Sequence, residues 1–197
     1  MKTDLSSLTL TNRAAQFQEI MANTQVTNKA GEAFDLESGM EEILQILLKA
    51  RQDAVSVYII GNGGSAGVAS HAAIDFVNVV KLRAMPLHEP SLLTCMANDY
   101  GYEVAFQRLV QTMAKPGDLL VAISSSGNSM NIRNAANQIK TLGGTVITLT
   151  GFKPENPLRM MGDFNVWLDS SDYGFVEIGH QFVLHNLSDR FGAGYGA

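Results

Sequence analysis

From residue 55 onward the chain alternates short, continuous apolar runs with segments of helical periodicity, and few folds accept that pattern. Residues 55–60 (VSVYII), 119–123 (LLVAI), 145–149 (TVITL) and 165–168 (NVWL) are strand-like and rich in β-branched residues. Residues 90–95 (PSLLTC) are a weaker strand candidate. Helical patterns fill the gaps at 65–79, 103–114, 129–142 and 176–191. Strands that are apolar throughout, rather than at every second residue, predict a parallel sheet buried on both faces. Such sheets bind ligands beyond the carboxyl ends of their strands. The loops after Ile60, Cys95, Ile123 and Leu149 are therefore where chemistry is expected. Gly143–Gly144 is expected to end one helix and Gly162 another.

Two helical segments come first. Residues 12–24 carry Ala15, Phe17, Ile20 and Met21 at near-helical spacing. Residues 36–50 carry a fuller amphipathic stripe of Leu36, Met40, Ile43, Leu44, Leu47 and Leu48. The polar residues 24–33 between them read as a connection. Nothing in these helices looks chemical, so residues 1–52 are expected to serve as a cover or an oligomer contact. A single domain is expected over 53–191, with 192–197 as a loose tail.

Composition closes off several function classes. With 46% apolar and 17% charged residues in 197, the chain can bury one full core and is not of disordered type. A net charge of -5 without any Lys/Arg run argues against a nucleic-acid partner. No stretch approaches the roughly 18 apolar residues of a membrane span. Residues 1–10 lack the apolar core of a signal peptide, and the one cysteine, Cys95, cannot form an intrachain disulfide. Both fit a cytoplasmic protein. Cys95 reads as a small packing residue and the nine methionines as core filling.

Two loops carry the strongest chemical signal. Gly61-Asn62-Gly63-Gly64-Ser65 follows the first strand and opens a helix. Its glycines permit a tight turn and close approach of a ligand, and the helix start favours an anion. The spacing also satisfies a dinucleotide fingerprint, but no acidic residue ends a clear second strand some twenty residues on. A Walker A reading fails for want of Gly-Lys-Ser/Thr. Ser124-Ser125-Ser126-Gly127-Asn128-Ser129 repeats the arrangement after residues 119–123, offering four hydroxyls and a helix start without a lysine. Such a loop can hold a phosphate monoester through neutral donors and the helix dipole. Singly, either loop is also readable as a capped helix start.

His71 and Asp75 stand at i and i+4 and share a helix face. Glu177, Gln181 and His185 form an i, i+4, i+8 stripe on the last helix, with His180 on another part of it. Facing each other, the two helices would offer a divalent metal site or an acid/base pair; otherwise these are solvated polar faces or satisfied core histidines. Asn98-Asp99-Tyr100 can touch sugar hydroxyls or form a plain turn.

Together, Gly61–Ser65, His71, Ala97-Asn98-Asp99, Ser124–Ser129 and Glu177…His180…His185 resemble the sugar isomerase (SIS) domain, and within it the phosphoheptose (sedoheptulose 7-phosphate) isomerase family. The resemblance covers roughly residues 35 to 190. It implies a three-layer αβα sandwich of flavodoxin-like type, with a central parallel sheet of about five strands behind two amino-terminal helices. The implied reaction joins sedoheptulose 7-phosphate to D-glycero-D-manno-heptose 7-phosphate through a cis-enediol. Ser124, Ser125, Ser126 and Ser129 would hold the phosphate, with Asn62, Gly63, Gly64, Ser65, Asn98, Asp99 and Glu177 around the sugar. Asp75 and His185 would be the catalytic pair, and His71, Asp75, Glu177 and His185 would ligate zinc. The resemblance further implies a homotetramer with sites at subunit contacts, supplying a heptose for lipopolysaccharide or capsule. Three positions depart from the family pattern: Asp75 replaces a glutamate, Val79 an arginine common in the family, and Glu177 a glutamine. A non-catalytic SIS module that senses a phosphosugar or binds a protein is the alternative.

Overall fold

The apolar run predicted at 119–123 forms a strand whose six residues are all buried, Leu119–Ser124, at the centre of five parallel strands. A computed structural model of the chain describes residues 5–196. The strands are β1 (Gln25–Asn28), β2 (Ala33–Phe34), β3 (Ser56–Ile60), β4 (Arg83–Pro86), β5 (Leu119–Ser124), β6 (Thr145–Thr150) and β7 (Phe164–Trp167). They form one sheet in the order β2-β1-β7-β6-β5-β3-β4. β7, β6, β5, β3 and β4 run parallel, and β1 and β2 extend the sheet antiparallel.

Among the described residues seven α-helices cover the sheet: α1 (Leu10–Ala22), α2 (Leu36–Gln52), α3 (Gly64–Asp75), α4 (Pro90–Tyr100), α5 (Tyr102–Met113), α6 (Met130–Thr141) and α7 (Tyr173–Gly192). Side chains alternate across a strand, so each face of the sheet builds its own core. Leu119, Val121 and Ile123 pack with Leu44 and Leu47 of α2, Ala69 and Ala72 of α3 and Leu184 of α7. Leu120 and Ala122 pack with Phe106 of α5 and Ile132 and Ile139 of α6. These two cores make the expected three layers. No helix among the described residues is long and apolar enough to cross a membrane.

The structure corrects several expectations. Among the described residues the sheet has seven strands rather than about five. Residues 90–95 belong to helix α4, not to a strand. Pro90 sits in its first turn, and the Glu89 carboxylate caps it by accepting the Leu92 amide at 2.8 Å. The fifth parallel strand is β4 instead. Residues 24–33, expected as a connection, contain β1 and lead into β2. Gly162 ends no helix: it sits in the turn before β7, where the Asn165 side chain and the Phe164 carbonyl leave no room for a Cβ. The helix expected over 65–79 ends as α-helix at Asp75 and continues as one π-helical turn, Phe76–Val80, closed by Lys81 at φ 64°.

The first four residues of the expected 1–52 lead-in and the last of the expected tail lie outside the described residues. Within that tail Tyr195 is tied down. Its hydroxyl donates to Glu41 of α2, and its ring meets Phe191 edge-on at 5.2 Å.

Candidate active site

The glycine loop owes its shape to residues without side chains. Gly63 caps α3 at φ 54° and ψ -124°, a backbone region that L side chains rarely adopt. A Cβ on Gly61 would lie 2.5 Å from the Ser65 carbonyl oxygen. One strand away, the serine loop turns through Gly127 at φ 65°. The loop is held from outside by the Gly151 amide donating to the Ser125 carbonyl at 2.9 Å and the Leu158 amide donating to that of Gly127 at 3.1 Å.

Between the loops lies a cleft of about 250 Å³, lined by Asn62–Ser65, by Ser124, Ser125, Ser126 and Ser129, and by Tyr173 and Glu177 of α7. The Ser125 hydroxyl is buried and has no hydrogen-bond partner among the described residues. Ser129 is the N-cap of α6, yet its side chain does not cap; Ser124 Oγ lies 3.5 Å from Ser129 Oγ. Unspent hydroxyls and two helix amino termini, with no lysine or arginine lining the cleft, suit an anion held by neutral donors. A larger cavity of about 460 Å³ lies between α1 and the segment before α7. It contains an Arg13–Asp172 ion pair at 2.9 Å and none of the predicted site residues.

Helices α3 and α7 face each other, as the metal and acid/base readings required. His71 Nε2 lies 2.9 Å from His185 Nε2. Asp75 Oδ2 lies 3.5 Å from His71 Nε2 and 3.4 Å from His185 Nδ1. That oxygen is buried and makes no aligned hydrogen bond, while both imidazoles are about half exposed. One proton arrangement satisfies the contacts: His71 Nε2–H donates to His185 Nε2, and His185 Nδ1–H faces the carboxylate. Ligand atoms of the three residues all lie within 4.8 Å of one another. Two imidazole nitrogens, one orphaned carboxylate oxygen and an open side fit a catalytic zinc donor set.

Glu177, predicted as a fourth ligand, stands outside this group. Its carboxylate lies against the Cα of Gly64, in the cleft. Two turns of α7 separate it from His185. Between them Gln181 is half-buried, its Nε2 without a partner among the described residues. Asn98 and Asp99 are exposed on α4, 3.0 Å apart through Asn98 Nδ2, and neither lines the cleft. Asn62 does line it, but its amide is largely spent on Asn131 and Tyr102.

His180 is fully buried, and its Nε2–H donates to the Thr150 carbonyl at 3.1 Å. Burial pushes its pKa down to about 4, against a smaller opposing effect of that bond. His88 was not singled out from sequence. Its Nε2 meets Ser70 Oγ of α3 at 2.7 Å, and burial lowers its pKa. Tyr173, Asn131 and Tyr102 were not assigned to the site either: Tyr173 and Tyr102 reach the loops from other elements, and nothing in sequence pairs Asn131, two residues past Ser129, with Asn62.

The SIS domain family model matches residues 15–151. A phosphoheptose isomerase of Campylobacter concisus is 35% identical over 162 residues, which is 79% of this chain and 85% of that protein. A solved phosphoheptose isomerase from Neisseria gonorrhoeae superposes with a TM-score of 0.72 at 26% identity, covering 94% of this chain and 100% of its own. One from Francisella tularensis reaches a TM-score of 0.82 over 98% of this chain and 100% of its own; at 22% identity that likeness speaks for the fold. The match extends over more than half of the chain, with relatives above 30% identity across most of both lengths, so this chain belongs to the SIS domain family, in its phosphoheptose isomerase branch.

Proposed function

We propose that this chain is an aldose–ketose isomerase of a phosphorylated sugar, converting sedoheptulose 7-phosphate to D-glycero-D-manno-heptose 7-phosphate through a cis-enediol. The observation that carries the reading is the pairing, along α7, of a cleft suited to an anion with a carboxylate set between two imidazoles. A module that only senses a phosphosugar needs the cleft and has no use for that cluster.

In this reading Ser124, Ser125, Ser126 and Ser129 hold the phosphate, assisted by the amino termini of α3 and α6 and the Gly63–Gly64–Ser65 backbone. The sugar extends along α7 past Glu177 toward Asp75. Asp75 takes the proton from the carbon next to the carbonyl, and His185 moves a proton between the two oxygens of the enediol. The shorter aspartate is served by its position, since both imidazoles lie within 3.5 Å of one oxygen. Zinc held by His71, Asp75 and His185 would act as a Lewis acid toward the carbonyl oxygen.

A homotetramer accounts for Asn98 and Asp99 standing outside their own cleft: they would complete a site across a subunit contact. The catalytic unit is then 53–191, with 1–52 as lead-in and 192–197 as tail. One cysteine and no disulfide support a cytoplasmic setting, and the product would feed lipopolysaccharide or capsule heptose synthesis.

The test is deuterium incorporation from D2O into sedoheptulose 7-phosphate, followed by mass spectrometry with and without zinc. Incorporation with formation of the aldose is expected. No exchange under either condition would overturn the assignment.

A further inference from the structure

One loop and the first turns of two helices meet at one side chain, that of Asn62. Asn62 Nδ2 donates to Asn131 Oδ1 at 3.0 Å, and Asn131 Nδ2 returns a bond to Asn62 Oδ1 at 2.9 Å. Tyr102 Oη donates to the same Asn62 oxygen at 2.7 Å. A carboxamide oxygen has two lone pairs, and both are now used. Asn62 is left with one N–H for a ligand.

The orientation of this pair is not free. The Ile132 amide donates to Asn131 Oδ1 at 3.0 Å, which fixes which end of the Asn131 amide is oxygen and, through the reciprocal bonds, which end of Asn62 is. Asn131 is 3% exposed, so no bulk water replaces a lost partner. It lies in the first turn of α6, directly after the serine loop, while Asn62 lies in the glycine loop of the neighbouring strand. Tyr102 opens α5 immediately after Gly101, the one residue between α4 and α5.

We propose that Asn131 and Tyr102 are positioning residues that lock the glycine loop against the serine loop through Asn62, setting the width of the anion cleft. The proposal rests on the phosphosugar reading of that cleft. Neither residue lines it, so both act through Asn62. A carboxamide pair is directional, and it holds two loops in one register where an apolar contact would let them slide.

The experiment uses the full chain and two variants, Tyr102→Phe, which removes only a hydroxyl, and Asn131→Ala. Four quantities are read: the calorimetric Kd for inorganic phosphate, KM and kcat for sedoheptulose 7-phosphate, amide hydrogen exchange at residues 61–65, and Tm. For Tyr102→Phe, phosphate Kd and KM should rise by about fivefold, the worth of one hydrogen bond. Its kcat should stay within about twofold, and exchange at 61–65 should quicken without a matching drop in Tm. Asn131→Ala should show the same pattern more strongly, and the double variant should lose less than the product of the two single effects. Unchanged phosphate affinity and unchanged exchange at 61–65 in Tyr102→Phe would overturn the proposal, whatever Asn131→Ala does to stability. Wild-type protein that binds phosphate without turning over the sugar would sink the isomerase reading alone, since the phosphate affinities of the variants still decide this one.

Discussion

The carboxylate of Glu177 occupies the space that a side chain on Gly64 would need. The last helix is thus closed onto the first turn of α3 by a contact that leaves room for a methyl group only if the Glu177 carboxylate moves aside. What stands in the way is the free end of a flexible side chain rather than backbone. Gly64→Ala should therefore leave stability within about 1 kcal/mol while raising KM for the phosphosugar by on the order of tenfold. Thermal melts beside initial rates check this, and a collapse in Tm would show that the contact serves the fold first.

Asp75→Asn keeps the shape of the side chain and removes its charge from between the two imidazoles. Solvent deuterium incorporation should fall by at least about a hundredfold, because an amide cannot accept the carbon-bound proton. Zinc affinity, measured by competition with a chromophoric chelator, should weaken in the same variant. Retained exchange would move the base to another residue.

Acid should act on the fold through His180. Burial keeps its ring neutral down to about pH 4, whereas an unfolded histidine takes up its proton near 6.5. Between those values the unfolded state binds a proton that the folded state refuses. Stability from this group is thus intact above about pH 6.5 and lost as the pH falls toward 4, by roughly 3 kcal/mol at most. Over that window the melting temperature of the wild type should fall more steeply than that of His180→Gln. Parallel slopes would assign the acid sensitivity to other groups.

Gly127 presents the opposite case to Gly64. It sits at φ 65°, and the space beside it is filled by Asn156, which is 2% exposed and donates to Thr150 Oγ1 and to the Gly151 and Lys153 carbonyls. Gly127→Ala should cost about 1–3 kcal/mol and also weaken phosphate binding, because neither backbone nor neighbour can yield. Chemical denaturation with a calorimetric phosphate titration checks both. An unaltered midpoint would mean that the loop relaxes freely.

Strands β3, β5, β6 and β7 were legible because burial on both faces writes itself as an unbroken apolar run. β4 was not. As an edge strand carrying Arg83 and Pro86 it alternates exposed and half-buried residues and has no such run. The signal that misplaced it, PSLLTC, is apolar enough for a strand, but Glu89 followed by Pro90 is a helix start, and that local chemistry outweighed composition. β1 (QVTN) is polar at three of its four positions and forms because β7 offers it an edge, and the two-residue β2 adds only to β1.

At the site, both loops and the His71–Asp75 face were visible as spacings. That α3 meets α7 was not, since helix pairing is decided by small residues such as Ala69 and Ala72 packing inward. The separation of Glu177 from the His–Asp cluster and the spending of Asn62 on Asn131 depend on side-chain direction, which spacing does not carry.

Both borders of the sheet are blunt. One ends in the two-residue β2, and the other in β4, where Pro86 has no N–H to offer a further strand. A chain closed in this way resists growth into fibrils and the exchange of strands between copies. Any self-association is turned instead toward helix surfaces, where Ile74 of α3 and Ile178 and Phe182 of α7 stand more than half exposed.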